Sequence, residues 1–269
     1  KEQSIKTDDL LQRLGWTEIQ KYCDNSKGHY ATVRKDGLKT VYEYVKQGRV
    51  AYFEITSYND LVLEYISENT ESYRPSHTSY FDKKLWLKYV DVMLPELPDK
   101  FKISISEPTA LLRDYYNLLG VDSRDEYGWI CEYSSVGMAT EKRRAVIGLI
   151  KNSRIDLLKN LLDYPNTQTQ LYAADALIYI DYLYKNQIKE MSDKTDTKDY
   201  IDYIKGFLLC KSDWERIYKL RDSRKIINTC GNAGSYKIYN TLISDLLSDK
   251  AIIEIPNQYE SLRKLGYFR

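Results

Sequence analysis

The stretch LLKNLLDYPNTQTQLYAADALIYI, residues 157–180, contains two helical patterns separated by a break at Pro165-Asn166. Apolar residues recur every three or four positions on both sides of the break, which is the spacing of one buried helix face. The first stripe holds Ile155, Leu158, Leu161 and Leu162, and the second holds Leu171, Ala174, Leu177 and Ile178. Small alanines beside the second stripe allow two helices to pack closely. The stretch therefore predicts a helical hairpin.

With the preceding segment RRAVIGLIKN, this hairpin resembles a HEAT-type repeat over about residues 141–184. The resemblance rests on Leu157-Leu158, Leu161, Asp163 and Pro165, followed by Ala173-Ala174-x-Ala176-Leu177. It implies a helical scaffold that binds a partner on a free face. Gln170 or a polar neighbour replaces the arginine that often begins the second helix of such repeats. No similar unit precedes residue 140 or follows residue 190, although solenoids stack about three units. A generic helical hairpin in an irregular domain therefore stays an open alternative.

The clearest strand pattern is HYATVRKDGLKTVYEYVKQGRVAYFEIT, residues 29–56. Asp36-Gly37 and Gln47-Gly48 separate runs rich in Val, Tyr and Thr, and Asp-Gly favours a tight hairpin turn. Two-residue turns at these points would place Tyr42 opposite Ala31 and Phe53, with Tyr42 and Phe53 on the apolar side. The pattern predicts a three-stranded antiparallel meander.

Helices are predicted for most of the remaining chain. They include 8–22, 59–68 after a capping Asn-Asp, and 80–94, with a polar loop between the last two. From residue 107 the pattern is mostly helical, with VDSRDEYGWICEYSSVGM (121–138) irregular or a broken helix and a polar loop at NQIKEMSDKTDTK (186–198). TCGNAGSYK (229–237) is predicted as a glycine-rich turn between helices. The sequence thus predicts an α+β fold that is mostly helical. It divides into an α+β part (1–106) and a helical, partly HEAT-like part (107–269), or forms one continuous domain.

The charge balance disfavours nucleic acid as the partner. The chain carries 40 Lys and Arg against 39 Asp and Glu, for a net charge of +1. Nucleic-acid binders usually show a basic excess because phosphate contacts supply much of their affinity. Binding of nucleic acid by a helical-repeat protein stays a further alternative. The sequence also has no run of about 18 apolar residues, so it predicts no membrane span.

Tyrosine is abundant, with 26 Tyr against 5 Phe. A tyrosine ring supplies contact area at low entropic cost, so exposed tyrosines suit a recognition surface. We expect a partner-binding surface on the C-terminal part that includes Tyr172, Tyr179 and Tyr182, with Trp129 as a further candidate. Its partner would be another protein or a glycan, and no metal or cofactor is predicted. The alternative is that these rings belong to the core.

Catalytic motifs are weak. The two histidines, His29 and His77, fall in predicted polar loops, which argues against a catalytic triad or a multi-histidine metal site. The acidic cluster Asp122, Asp125 and Glu126 beside Trp129 would suit a hydrolase with paired carboxylates. The sequence therefore favours a non-enzymatic binding or interaction protein, with a hydrolase as the alternative.

The four cysteines, Cys23, Cys131, Cys210 and Cys230, show no metal-binding spacing. Their even number fits an oxidising compartment, while four reduced thiols are an equal alternative. Antiparallel packing of two predicted helices would bring Cys210 and Cys230 together as a disulfide. Because the chain begins at Lys1 rather than Met, we expect a removed leader and an extracytoplasmic protein, with a cytoplasmic location as the alternative.

Overall fold

The computed structural model describes residues 29–36, 39–46, 51–59, 61–69, 76–120, 126–131, 139–192, 194, 197–230 and 238–268. The chain forms two compact units, Lys1–Glu96 and Leu97–Arg269. The sequence placed the division later, after residue 106. The predicted helix over 8–22, Cys23 and most of the glycine-rich turn lie outside the described residues.

The first unit contains an antiparallel sheet in which five strands follow one another in chain order. The strands are β1 (His29–Asp36), β2 (Lys39–Lys46), β3 (Ala51–Tyr58), β4 (Leu61–Asn69) and β5 (Ser76–Phe81). The predicted meander is confirmed as β1–β3, and β4 and β5 extend it. Its register is shifted by two residues, because β1 continues through Asp36 and Tyr42 lies opposite Val33 and Ile55. Since side chains alternate with a period of two, this shift fits the same apolar pattern. The predicted burial of Tyr42 and Phe53 lies outside the described side chains.

The helix predicted over 59–68 is wrong, because this segment forms β4. Tyr58 pairs with Leu61, so the chain turns back at Asn59 into a second strand and does not begin a helix. Asn59 has a left-handed backbone with φ of 50°. Asn and Asp favour helix caps and such turns alike, because their short side chains bond the local backbone. Here residues 61–69 pair with β3 along their length, and this pairing makes the segment a strand rather than a helix. The predicted polar loop likewise contains β5.

One helix, α1 (Lys83–Met93), packs on this sheet, as predicted for 80–94. The carboxylate of Asp82 caps it by accepting a 2.9 Å hydrogen bond from the Leu85 amide, and the Asp82 amide bonds the carbonyl of Leu63. Tyr89 meets Tyr58 edge to face at 5.3 Å. The core of this unit holds Ile55, Tyr58, Val62, Leu63, Tyr65, Leu85, Trp86, Tyr89 and Val90.

The second unit is mainly helical, and a short 3-10 turn at Asp99–Phe101 precedes its helices. The helices are α2 (Thr109–Leu118), α3 (Glu141–Lys151), α4 (Ile155–Leu161), α5 (Thr167–Met191), α6 (Lys198–Lys205), α7 (Lys211–Arg221), α8 (Ile243–Leu246) and α9 (Asp249–Lys264). The predicted hairpin is confirmed as α4 and α5. Asn166 caps α5 by accepting a hydrogen bond from the Thr169 amide.

A second antiparallel sheet, which the sequence assigned to helix and turn, joins β6 (Ile226–Cys230) to β7 (Ile238–Leu242). The fold of the chain thus confirms the α+β, mostly helical class. β6 also pairs with Tyr127, whose amide donates to the carbonyl of Asn228 and whose carbonyl accepts from the amide of Cys230. Strands this short are stable only when paired, so their local sequence carries little signal.

The long helix α5 is buried on all sides over Leu171–Asp181. It packs against α3, α4 and α9, and the buried alanines Ala173, Ala174 and Ala176 allow this close approach. From Tyr182 to Met191, by contrast, every residue is exposed or half-buried. The first half of α5 is therefore the centre of this unit, and its second half forms part of the surface.

Candidate functional site

A groove of about 840 Å³ runs beside the second half of α5, and we call it the α5 groove. Its lining comes from the end of α3, the α3–α4 turn, the second half of α5 and the end of the chain. The lining residues are Ile150, Lys151, Ser153, Ile155, Ile180, Tyr182, Leu183, Tyr184, Asn186, Gln187, Glu190, Glu260, Arg263 and Phe268.

Unequal helix lengths explain the position of this groove. At 1.5 Å per residue, the 25-residue α5 is about 37 Å long, whereas the 11-residue α3 is about 16 Å long. The second half of α5 therefore extends beyond α3, which packs against its first half. Farther along α5, Gln187 contacts Tyr200 of α6 and Tyr184 stacks on Phe207, so α6 and the segment after it pack beside this gap.

The floor of the groove is apolar. Ile155 and Ile180 are buried there, and Ile150 and Leu183 are half-buried. Tyr182 stands at the groove with 43% of its surface exposed. An exposed aromatic ring beside an apolar floor can contact a partner over a large area with little loss of side-chain entropy.

Glu260 and Arg263 line one wall of the groove, and the buried Tyr179 bonds both of them from behind to form a polar triad. The Tyr179 hydroxyl donates a 2.7 Å hydrogen bond to Oε1 of Glu260 and accepts one of 2.8 Å from Nη2 of Arg263. The Arg263 guanidinium also lies 4.6 Å from the centre of the Phe268 ring. Burial of the Tyr179 ring raises the pKa of Tyr179 to about 12. The Glu260 carboxylate adds to this rise, and the hydrogen bond from Arg263 partly opposes it. The triad thus presents a fixed carboxylate and a fixed guanidinium side by side.

Behind this wall lies a buried group of charged and aromatic side chains, which we call the Arg143 cluster. Its members are Arg143, Asp175, Tyr127, Tyr172, Tyr259 and Trp129. The Arg143 guanidinium donates to both carboxylate oxygens of Asp175 at 2.8 Å and, through Nε, to the Gly128 carbonyl at 3.1 Å. The Asp175 carboxylate also accepts hydrogen bonds from the hydroxyls of Tyr127 and Tyr259.

The Arg143 cluster is structural rather than reactive, because Arg143 and Asp175 are fully buried and bonded to each other. Burial lowers the pKa of Arg143, but the Asp175 charge more than offsets this and holds the pKa well above its ordinary value. Burial, reinforced by Asp175, likewise raises the pKa of Tyr127 and Tyr259. Arg143 therefore keeps its proton and its charge at neutral pH, held by the two bonds to Asp175.

Of the four predicted binding residues, the structure places only Tyr182 exposed in the groove. Tyr172 is fully buried, where its hydroxyl donates to the Glu126 carbonyl and accepts from the Gly128 amide. The Tyr179 ring is also buried, and its hydroxyl bonds Glu260, which lines the groove. For these two rings the predicted exposure is wrong. Tyr127 packs on Tyr172 with ring centres 4.9 Å apart, and Tyr259 of α9 stacks on Tyr179 at 4.5 Å.

Trp129 is half-buried in the Arg143 cluster. Its ring lies 3.6 Å from the Arg143 guanidinium and meets Tyr259 edge to face at 5.0 Å. It therefore does not lie in the α5 groove. Of the acidic residues predicted beside it, Asp122 and Asp125 lie outside the described residues.

The predicted Cys210–Cys230 disulfide is wrong. Cys230 is bonded to Cys131, with the two Cα atoms 5.4 Å apart, and Cys210 is an exposed free thiol. The physical reason is that Cys230 lies on β6 rather than after a helix. The pairing of β6 with Tyr127 carries Cys230 to the segment that contains Cys131. Cys210 instead precedes α7, where its amide donates to Asp213.

The histidines lie in strands rather than in predicted loops, His29 at the start of β1 and His77 in β5. Within the described ranges, no three His, Cys, Asp or Glu side chains converge closely enough to hold a metal ion. Over the same ranges, no helix is sufficiently long and apolar to cross a membrane.

Sequence patterns missed most of the groove, including Lys151, Glu260, Arg263 and Phe268. The only available signal was the spacing of Glu260 and Arg263, which suits a charge pair on one helix face. Comparison of the chain with protein-family models, with curated proteins and with solved structures finds no match.

Proposed function

We propose that this protein is a non-enzymatic binding protein that holds a segment of a partner protein in the α5 groove. The observation that supports this most is the combination of an apolar floor, the exposed ring of Tyr182 and charged groups of both signs in one open groove. Its volume of about 840 Å³ lies within the range of roughly 300–1,000 Å³ that is common for ligand sites.

The chemistry of the lining favours a polypeptide. Apolar side chains of a peptide would pack on the floor formed by Ile150, Ile155, Ile180 and Leu183. The hydroxyl groups of a glycan would find no hydrogen-bond partners on this apolar floor. The charges of the lining balance, with Lys151 and Arg263 against Glu190 and Glu260, so the groove has no basic excess to attract a phosphate backbone. Only a polypeptide supplies apolar groups, amide groups and charges of either sign together. The groove thus argues against a glycan and a nucleic acid as the ligand.

The Cys131–Cys230 disulfide supports an extracytoplasmic site of action for this binding protein. Disulfides persist in oxidising compartments and are rare where glutathione and thioredoxin keep thiols reduced. The bond joins residues 99 positions apart, so it closes a large part of the second unit. A structural disulfide in this position suits a protein that works outside the cytoplasm.

The proposal is tested with a displayed library of short linear peptides selected on the immobilised full chain. The binding of selected peptides is then measured by fluorescence polarisation to the wild type, Tyr182→Ala and Glu190→Lys. Loss of an exposed aromatic anchor should weaken binding at least about tenfold, as for interface hot spots. Glu190→Lys should weaken binding of basic peptides and strengthen that of acidic ones.

The matched control is Tyr218→Ala, which truncates another exposed tyrosine that does not line the groove. It should bind the selected peptides as the wild type does. A library that yields no binder, or binders equally affected by Tyr218→Ala and Tyr182→Ala, contradicts the proposal.

A further inference from the structure

The hairpin formed by β6 and β7 exposes an unusual amount of apolar surface. Ile226 and Ile238 are 62% and 55% exposed, and Tyr239 and Leu242 are also exposed. Ile226 lies opposite Leu242, and Asn228 lies opposite Asn240. Residues of one strand that are two apart share a face, so Ile226, Ile238 and Leu242 lie on one face of the hairpin, with Asn228 and Asn240 between them.

In this sheet, as far as the structure describes it, β7 is the outer strand. β6 bonds to Tyr127 on one side and to β7 on the other. The amide of Ile243 donates to the carbonyl of Lys225, which fixes the alternation of hydrogen bonds between the strands. By that alternation, the peptide groups of Tyr239 and Thr241 point toward β6. Those of Ile238, Asn240 and Leu242 point away from it, toward the outer edge.

The sequence of β7, IYNTL, is suited to pair with itself. An antiparallel pair centred on Asn240 would place Ile238 opposite Leu242 of a second copy, and Tyr239 opposite Thr241. The outward peptide groups of Ile238, Asn240 and Leu242 would then face their counterparts as hydrogen-bonded pairs. Their side chains would extend one apolar face across a four-stranded sheet, with the amides of the two Asn240 side chains meeting on the two-fold axis.

Charge does not oppose this pairing. β7 has no Asp, Glu, Lys, Arg or Pro. Natural edge strands commonly carry a charge or a proline that prevents edge-to-edge contact. β7 has no charge or proline at its outer edge, exposes apolar side chains and matches its own sequence in antiparallel register. Each of these features favours the same strand of a second copy as the binding partner of β7. Two-fold symmetry is also the commonest form of protein self-association.

We infer that the chain forms a two-fold symmetric dimer through antiparallel pairing of β7 with β7 of a second copy. The exposed apolar side chains offer on the order of a few hundred Å² per copy, below the roughly 800 Å² per partner of standard interfaces. The dimer is therefore weak, with a dissociation constant on the order of tens to hundreds of micromolar.

Sedimentation equilibrium of the full chain, extended to millimolar concentration, tests this inference. The wild type should shift from monomer to dimer as its concentration rises. Ile238→Lys places a charge opposite the apolar Leu242 of the second copy at both ends of the paired strands. Asn240→Pro removes an outward amide without removing a bond to β6. Both variants should stay monomeric.

The matched control is Ile253→Lys, which makes the same change at an exposed position on α9. It should dimerise as the wild type does, and so should Tyr182→Ala in the α5 groove. Far-UV circular dichroism of each variant checks that the fold is retained. A wild type that stays monomeric throughout overturns the inference and leaves a strand of a different protein as the occupant. Equal dimerisation of wild type, Ile238→Lys and Asn240→Pro overturns it as well.

Discussion

Arg143 and Asp175 form a bidentate ion pair with two hydrogen bonds of 2.8 Å, and neither side chain is exposed to solvent. The pair joins α3 to α5 and, through Tyr259, to α9. Through Tyr127 and the Gly128 carbonyl it also joins the segment that pairs with β6. One buried interaction thus connects four parts of the second unit that are far apart in sequence.

Removal of one partner of this ion pair should strongly destabilise the protein. Asp175→Asn or Arg143→Met leaves a buried group without its counterpart, which costs about 3–5 kcal/mol. Arg143→Lys should also be costly, because an ammonium cannot reproduce the two parallel bonds or the stacking on Trp129.

Urea denaturation measures the free energy of unfolding of each variant. Lys205→Ala, which removes an exposed pair with Asp202, is the control and should change it by under about 1 kcal/mol. A loss below about 1 kcal/mol for Asp175→Asn would contradict the structural role of the pair.

Loss of the Cys131–Cys230 disulfide should destabilise the second unit. The bond spans 99 residues, and the chain-entropy model gives about 4.7 kcal/mol for a loop of this size. Cys131→Ser and Cys230→Ser should each lower the free energy of unfolding by about 2–5 kcal/mol. Cys210→Ser, at an exposed free thiol, is the control and should have little effect. Mass spectrometry of an unreduced digest identifies the pairing, and a peptide linking Cys210 to Cys230 would refute it.

Gly128 should not tolerate a side chain. A Cβ atom there would lie 2.7 Å from Sγ of Cys131 and closer still to Sγ of Cys230. Neither sulfur can move freely, because the disulfide and β6 hold both in place. Gly128→Ala should therefore cost about 1–3 kcal/mol, as overpacking of a core does. Thermal unfolding compares it with Gly206→Ala, where the nearest atom is 3.3 Å away and a smaller change is expected. Equal melting temperatures for the two variants would argue against this packing.

Stability should fall at high pH because of the buried tyrosines. Burial raises the pKa of Tyr172 to about 12 in the folded state, from an ordinary value of 10.0. The folded state therefore holds this proton more tightly than the unfolded state does. The resulting stabilisation is fully present below pH 10 and is lost as the pH rises from about 10 to about 12. Tyr179 contributes in the same direction.

Denaturation in urea at several pH values, with tyrosinate absorbance followed in parallel, measures this effect. Buried rings should ionise only together with unfolding. Tyr172→Phe removes one titrating group and should make the alkaline decline less steep. If all tyrosines ionise together near pH 10 in the folded protein, the burial described for Tyr172 is refuted.

Several elements could be predicted from the sequence because their signals are local. Pro165-Asn166 marks the break between α4 and α5, and Asn166 caps the second helix as its residue type suggests. The alternation of residues in 29–56 predicted β1–β3, although a turn displaced by one residue shifted the register by two. The segment Asn59–Asn69 shows the limit of such signals, because Asn-Asp suits a helix cap and a hairpin turn equally.

By itself, the sequence determined the α+β class, the meander and the α4–α5 hairpin, since periodicity and turn chemistry act over a few neighbouring residues. Only the tertiary structure decided that Cys230 bonds Cys131, that Tyr127 covers Tyr172 and α9 covers Tyr179, and that Tyr182 stays exposed in a groove. A stripe along α5 can specify one buried face, but burial of a second face depends on a helix that begins at Asp249. Contacts between residues so far apart leave no local pattern, because each partner alone fits many environments. The candidate site therefore lies where α5 extends beyond α3. This is a property of the helix packing and not of any short stretch of sequence.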